Sequence, residues 1–208
     1  VFASKGVGLV GVAVIGIACG VVVGIVNGYL IGYVRIPAFI ATLGTQGVCY
    51  GISLIISQGM PFSSFPKNFD WMGTAKVGGI SFLLLFTIVL YLLFWIFSTK
   101  TKTGRYIYSI GGNREAVRLS GINTARYEMI AYIICGFLAG VGGLMMTSRL
   151  NFASPSAGEN YEMETIAAVV IGGTMMTGGS GSVLKTSIGA VLLYVLKNGL
   201  TINDVSPY

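Results

Sequence analysis

The stretch GIACGVVVGIVNGYLIG, residues 16–32, is the most informative about the fold of this chain. It carries no charged residue, and glycine recurs at every fourth position from Gly16 to Gly32. Positions four apart lie on one face of an α-helix, so these glycines predict a nearly straight groove along one helix face. A groove of this kind lets a neighbouring backbone approach closely inside a membrane. We therefore expect a membrane helix that packs through its glycine face.

The composition of the whole chain agrees with a membrane location. Of 208 residues, 54% are hydrophobic and only 10% are charged, and the mean hydropathy is +0.80. A soluble domain carries about 25% charged residues. Disordered, collagen-like and disulfide-rich chains are excluded by the high apolar content, the lack of a three-residue glycine period and the presence of only three cysteines. The composition therefore predicts an integral membrane protein.

Apolar runs mark the predicted membrane spans, because a spanning helix needs about 20 mainly apolar residues. Small residues recur at helical spacing in the fourth run, with Gly136 and Gly140 and with Ala139 and Gly143. We expect an all-α polytopic bundle of about six spans forming one transmembrane domain over 1–208, with flanking helices outside this sequence. The runs are 6–34, 36–66 (apolar to about 56), 77–99, 129–148, a short or broken helix at 165–177, and 183–201.

The charge distribution predicts how the spans are oriented. Six basic residues and one acid lie between Lys100 and Arg126, a net charge of +5 out of +6 for the chain. Lysine and arginine concentrate in cytoplasmic loops, so the loop 100–126 is predicted to be cytoplasmic. Arg35 then lies inside, and the loops 57–76 and 149–164 lie outside. The basic character thus reports topology and gives no reason to expect nucleic-acid binding.

Several kinds of chemistry are excluded by the residues themselves. With no histidine, the chain cannot build a Ser-His-Asp triad or a histidine metal site. Cys19, Cys49 and Cys135 stand alone in apolar stretches, which is typical of packing residues. The G-x-G-x-x-G pattern at 6–11 has no preceding strand, and the segment 178–186 lacks the Gly-Lys-Ser/Thr of a phosphate loop. We expect no catalytic residue, metal or ATP site in this chain.

The predicted cytoplasmic loop contains a capped short helix. Asn113 is a suitable N-cap for a helix over 114–120, and Gly121 is a suitable stop. Glu115 and Leu119 then share one face of that helix. A short helix braced at both ends is able to dock into a groove on another protein. The alternative is a solvated basic loop that only sets the topology.

Three stretches resemble the ribose/galactose-type sugar ABC transporter permeases of the branched-chain amino acid/ribose permease superfamily. The first is TGRYIYSIGGNREAVRLSGIN at 103–123. The second joins NGYLI at 27–31 to IPAFIATLG at 36–44. The third is YEMETIAAVVIGGT at 161–174, followed by Gly178 and Gly179. The resemblance runs in family order from Asn27 to about Gly199, with mild departures that include Ser109, Val117 and Ser180.

The resemblance implies the permease subunit of an ATP-binding-cassette importer, a multi-pass protein of the bacterial cytoplasmic membrane. Its substrate would be a monosaccharide such as ribose, galactose or xylose. Its partners would be a second permease copy in a homo- or heterodimer, an extracytoplasmic sugar-binding protein, and a cytoplasmic ATPase subunit that holds ATP and Mg²⁺. The loop 100–126 would couple it to the ATPase, through Gly112, Asn113, Glu115, Ala116, Arg118, Leu119, Ser120 and Gly121.

A neutral sugar needs hydrogen-bonding groups and apolar walls, held weakly enough that it can leave. The predicted pathway residues within the spans are Asn27, Phe39, Thr42, Thr45, Gln46 and Thr174. The alternative for each polar residue is a hydrogen bond to a neighbouring helix. The non-helical backbone expected at 172–181 is of the kind tolerated at membrane depth beside a cavity. The outer loops, with Glu159, Glu162 and Glu164 and with the aromatic stretch 62–71, are expected to face the binding protein.

Three rival functions remain open at the level of the sequence. A permease for branched-chain amino acids or another small polar solute belongs to the same superfamily. A self-sufficient carrier usually places ionisable residues inside its spans, and the four clear spans contain none. A membrane-embedded enzyme would need paired catalytic groups near the bilayer, and only Glu162 and Glu164 come close.

Overall fold

A computed structural model describes residues 9–63, 65 and 69–203 of the chain. The regular secondary structure of the described part is α-helical apart from one hairpin of two two-residue strands, which confirms the predicted all-α class. The elements are α1 (Leu9–Gly32), α2 (Ala38–Ser57), α3 (Trp71–Thr74), β1 (Lys76–Val77), β2 (Ile80–Ser81), α4 (Phe82–Lys100), α5 (Lys102–Gly112), α6 (Arg114–Leu119), α7 (Thr124–Leu150), α8 (Tyr161–Ile171) and α9 (Val183–Ile202).

Among the described residues, five helices are long and apolar enough to cross a membrane: α1, α2, α4, α7 and α9. Most of their bounds lie close to those of the predicted spans, but α7 begins at Thr124, five residues before the predicted start at 129. The predicted start of the first span at residue 6, the first half of the G-x-G-x-x-G pattern and Pro66 lie outside the described residues. The predicted third span begins later than residue 77, because Gly78 and Gly79 take positive φ angles of 59° and 84° and turn the chain between β1 and β2.

The fifth predicted run, the short or broken helix at 165–177, is the short helix α8, and its predicted bounds were wrong at both ends. It begins at Tyr161 instead of residue 165 and ends at Ile171 instead of residue 177. Eleven residues of helix are about 16 Å long, too short to cross a bilayer. Glu162 and Glu164 therefore lie in the first helical turn and not in the preceding loop. Acidic side chains are favourable there, because they face the positive end of the helix dipole.

The chain divides into two compact units. One comprises Val1–Thr87 and Asn123–Ala157, and the other comprises Ile88–Ile122 and Gly158–Tyr208. The first contains α1, α2 and α7, and the second contains α5, α6, α8 and α9.

The first unit is built on an antiparallel pair of helices, α1 and α7. Gly16 faces Leu144, and at the other end Gly32 faces Ala125. In the middle, a Cβ on either Gly20 or Gly136 would overlap the carbonyl oxygen of the other. The predicted glycine groove is thus confirmed, with α7 as its partner. The second small pair predicted on α7 does not extend this contact, because Gly143 has no described neighbour within 4 Å of a Cβ built on it.

Two loops of this unit are joined at one end of the α1–α7 pair. Ser148, only 1% exposed, donates a hydrogen bond to the Phe69 carbonyl (2.6 Å) and accepts one from the Gly73 amide (3.0 Å). Phe62 and Ala153 exchange two backbone hydrogen bonds of 2.8 Å. The loops 57–76 and 149–157 therefore lie at the same end, as the predicted topology requires.

The second unit contains an antiparallel hairpin, which we call the α8–α9 hairpin (Tyr161 to Ile202). A Cβ on Gly172 would lie 2.6 Å from the Thr186 Cα, and one on Gly189 would lie 2.7 Å from the Gly172 amide nitrogen. Further along, the Lys197 Nζ lies 2.6 Å from the Glu164 Oε1. The connecting segment 172–182 is non-helical, which confirms the prediction made from its glycines.

Candidate functional site

The segment that precedes the predicted coupling helix is itself a helix, α5, which sequence reasoning missed. The Thr101 hydroxyl caps it by accepting a hydrogen bond from the Gly104 amide (3.0 Å) and donates one to the Phe97 carbonyl (2.6 Å). Gly104 is buried against α4, where a Cβ would lie 2.7 Å from the Ser98 Cα. Thr101, a suitable N-cap residue, could have indicated the start of α5. The three glycines within α5 have low helix propensity, so the segment did not look helical in sequence.

The helix α6 has the caps that the sequence predicted. The Asn113 Oδ1 accepts a hydrogen bond from the Ala116 amide (3.0 Å), which is the N-cap arrangement. Ser120 occupies the C-cap position, and Gly121 ends the helix with a φ of +80°. Glycine adopts such a left-handed conformation at low cost. The predicted helix 114–120 is confirmed to within one residue, since α6 covers Arg114–Leu119.

The outer surface of α6 carries an ion pair and an exposed leucine. The Arg118 Nε donates to the Glu115 Oε2 (3.1 Å), and a second bond joins Nη2 to Oε1. This bidentate hydrogen bond, and then the charge of the carboxylate, raise the pKa of Arg118 above its usual value. Val117 is buried on the inner side, whereas Leu119 is 77% exposed. A solvent-exposed ion pair stabilises little, so these side chains are available for contact with a partner.

Two of the predicted pathway residues are in contact with each other. The Thr45 hydroxyl on α2 donates to the Asn27 Oδ1 on α1 at 2.8 Å. Thr42 instead donates to the Ala38 carbonyl of its own helix (2.9 Å), while Phe39 and Gln46 are exposed. The Asn27–Thr45 bond joins two helices, which is the alternative that the sequence left open for polar residues in spans.

The sixth predicted pathway residue, Thr174, lies in the second unit. Its hydroxyl is 3.5 Å from that of Thr186, and its side chain would lie 2.7 Å from a Cβ on Gly181. Thr174 therefore braces the segment between α8 and α9, whatever its role toward a substrate.

The three acidic residues predicted to face a binding protein have different surroundings. Glu159 is exposed in the loop, Glu162 is half-buried, and Glu164 pairs with Lys197. The side chains of the pair are 27% and 32% exposed, respectively. The sequence analysis did not predict Lys197 as the partner of Glu164, although a charged side chain within an apolar helix usually pairs with an opposite charge. Sequence alone did not say which acid would lie beside it.

The first unit also contains a cavity of about 250 Å³. Phe62, Phe65, Phe69 and Leu144 line it, and Thr147 is a polar lining residue. Such walls suit an apolar group better than a sugar, and none of the predicted pathway residues lines the cavity. Among the described residues, no group of three or more Cys, Asp or Glu side chains is placed to hold a metal ion.

Known proteins similar to this chain are transport permeases. It is 40% identical to the ribose import permease protein RbsC of Escherichia coli strain K12, over 96% of this chain and 63% of that protein. It is 35% identical to the galactose/methyl galactoside import permease protein MglC of Haemophilus influenzae, over 92% and 59%. It is also 35% identical to the D-allose transport system permease protein AlsC of Escherichia coli strain K12, over 96% and 60%.

The chain thus spans less than two thirds of the length of each of these relatives. No solved structure matches it. The five apolar helices and the permease relatives identify a multi-pass protein of the inner membrane. A family model matches residues 2–207, and the chain therefore belongs to the family described as the branched-chain amino acid transport system / permease component.

Proposed function

We propose that the full-length protein is the membrane-spanning permease subunit of an ATP-binding-cassette importer for a monosaccharide. Three relatives that cover more than nine tenths of this chain are named for ribose, galactose or allose transport, which supports a sugar substrate. ATP and Mg²⁺ are held by a separate ATPase subunit. A second permease copy and an extracytoplasmic sugar-binding protein complete the assembly.

The observation that carries this proposal is the geometry of α6. It is held by the Asn113 cap at one end and the Gly121 turn at the other, so it is presented as a rigid unit. Burial of the exposed Leu119 side chain in a groove on the ATPase would contribute about 1.5–3 kcal/mol to the binding free energy. The Glu115–Arg118 pair beside it provides charges that orient the docked helix.

In the first unit, Asn27, Thr42, Thr45 and Gln46 offer hydrogen-bonding groups to the substrate and Phe39 an apolar wall. Thr174, in the second unit, is a separate candidate for contact with the substrate. The sugar-binding protein docks on the opposite side from α6. Glu159 and Glu162 remain the better docking candidates there, because the Glu164 carboxylate is already paired with Lys197.

A second candidate is import of a branched-chain amino acid or another small polar solute. The description of the matching family favours it, because it names branched-chain amino acid transport. Uptake by proteoliposomes that contain the complete transporter distinguishes the two. Competition by unlabelled monosaccharides supports the sugar, and competition by leucine or valine supports the alternative.

The docking role of α6 is tested by exchanging its two charges in the full-length protein, Glu115→Arg together with Arg118→Glu. The exchange keeps an ion pair on the helix but reverses the charges that the ATPase meets. We expect at least tenfold less ATPase to copurify with the permease, with unchanged insertion into the membrane. Loss of coupled ATP hydrolysis should accompany it.

The control is Lys76→Glu, which reverses an exposed charge on β1 and should leave ATPase copurification unchanged. Normal coupled transport by the exchanged variant would contradict the docking assignment. Absence of any ATPase from the wild-type complex would contradict the proposed function as a whole.

A further inference from the structure

The end of α5 touches the segment between α8 and α9, backbone against backbone. A Cβ on Gly111 would overlap the amide nitrogen of Gly179. A Cβ on Gly178 would lie 3.0 Å from the Gly111 Cα, and one on Gly179 would lie 2.6 Å from the Gly112 Cα. We call these four residues the glycine joint. Gly112 directly precedes Asn113, the cap of α6, so the joint lies beside the proposed coupling helix.

The segment that meets α5 is internally braced. The Met175 amide donates to the Ser180 carbonyl, and the Gly178 amide donates to the Met175 carbonyl, both at 3.0 Å. Gly178 and Gly179 take φ angles of +87° and +79°, which glycine adopts without strain. A displacement of the end of α5 is therefore passed on to this segment, because no flexible side chain lies between the two backbones.

Close contacts continue from the joint along both helices of the hairpin. Gly172 lies against Thr186, and Gly189 lies against Ala168, in each case without an intervening side chain. The Lys197–Glu164 ion pair fastens the far end. From Val183 to Lys197 the helix α9 rises about 21 Å at 1.5 Å per residue. The hairpin is thus long enough to carry a movement through much of the thickness of a bilayer.

We propose that the α8–α9 hairpin transmits the movement of α6 away from the ATPase, with the glycine joint as its point of attachment. The inference rests on the proposed function, because it assigns a task to the hairpin only if α6 couples to an ATPase. Gly111, Gly178 and Gly179 are positioning residues in this account. They act by holding α5 against the hairpin and do not touch the substrate.

The test is Gly111→Ala in the full-length permease, reconstituted with its ATPase and binding protein. Gly111 lies within a helix, where alanine is favoured over glycine, so the only unfavourable change is the added Cβ against Gly179. We expect ATPase copurification within twofold of wild type but at least tenfold fewer sugar molecules transported per ATP hydrolysed. Gly199→Ala is the matched control, since a Cβ there has no described neighbour within 4 Å.

Three outcomes are distinguishable. Wild-type coupling in Gly111→Ala would overturn the inference and leave the proposed function intact. Loss of the ATPase together with transport in Gly111→Ala would also overturn it, because the joint would then serve docking alone. Failure of the wild-type protein to bind an ATPase would overturn the proposed function, and the inference with it.

A measurement on the unmodified complex keeps the inference testable if Gly111→Ala does not fold. Hydrogen exchange is compared between the nucleotide-free complex and the complex trapped with ADP and vanadate. We expect amide protection to change by at least threefold in both α6 and the segment 172–182. A change confined to α6 would overturn the inference.

Discussion

The α1–α7 pair and the α8–α9 hairpin are both packed through glycine, but they are held together differently. Along α1, glycine recurs from Gly16 to Gly32, and each of these residues meets α7. The hairpin has close glycine contacts at two positions, Gly172 and Gly189, and an ion pair at its far end. Its connecting segment is irregular and touches α5.

Regularly spaced glycines and clustered glycines have different structural consequences in this chain. Glycines four apart in an apolar run lie on one helix face and bring a second helix close over their whole length. Clustered glycines, as at 172–181, instead stop the helix, because several of them adopt positive φ. The four-residue spacing gives an extended helix–helix interface, which we call the α1–α7 seam. The glycine cluster gives a local contact between segments that are distant in the sequence.

The largest effect is expected from breaking the α1–α7 seam. Gly136→Ala places a Cβ against the Gly20 carbonyl oxygen, so the helices must move apart. We expect a loss of about 1–3 kcal/mol in the free energy of unfolding, the usual cost of overpacking a close contact. Thermal unfolding of the purified full-length protein in detergent measures it.

Gly143→Ala is the matched control on the same helix, because a Cβ at Gly143 has open space in the described part of the chain. It should be neutral or slightly stabilising, since alanine favours the helix. Equal destabilisation by the two variants would show that the seam does not depend on the close approach of the backbones.

A smaller effect is expected from the ion pair that fastens the hairpin. In a double-mutant cycle of Glu164→Ala and Lys197→Ala, we expect a coupling free energy of about 1 kcal/mol, near the upper end for exposed pairs because both side chains are about two-thirds buried. The cycle is measured by unfolding in detergent. Additive losses from the two single variants would mean that the hairpin is held by its glycine contacts alone.

The smallest effect is expected at the N-cap of α6, because the loss is confined to one six-residue helix. Asn113→Ala removes the side-chain acceptor of the Ala116 amide and should cost about 1 kcal/mol of local helix stability. Amides of α6 should then exchange about fivefold faster, and those of α1 and α7 should not change. Asn113→Asp, which keeps a capping oxygen, should restore the protection. If it does not, the side-chain cap does not stabilise α6.

Much of the fold was predictable, because it depends on patterns within contiguous residues. The bounds of α1, α2 and α9 follow from apolar runs, and those of α6 follow from Asn113 and Gly121, whereas α7 begins five residues before its apolar run. The errors occurred where local signals conflict. Glycines concealed α5 although Thr101 caps it, and α8 began earlier than its apolar run because its first turn carries Glu162 and Glu164.

The site residues were less predictable than the fold. The coupling helix and its caps were identified in sequence, since capping is decided within four residues. The partners of Asn27, Glu164 and Lys197 were not predicted, because each of these residues contacts a side chain on another helix. Whether Phe39, Gln46 and Thr174 contact a sugar stays a prediction.

The amino-acid sequence was sufficient to predict a polytopic helical membrane protein with a glycine-faced first helix and a capped, basic loop helix. Charge, apolar run length, glycine period and caps act over one or two helical turns, so they can be read from neighbouring residues. The packed structure was needed to show that α7 fills the groove of α1, that Lys197 pairs with Glu164, and that Gly111 meets Gly179. Those contacts join residues far apart along the chain, and they depend on how complete helices pack, which no local pattern specifies.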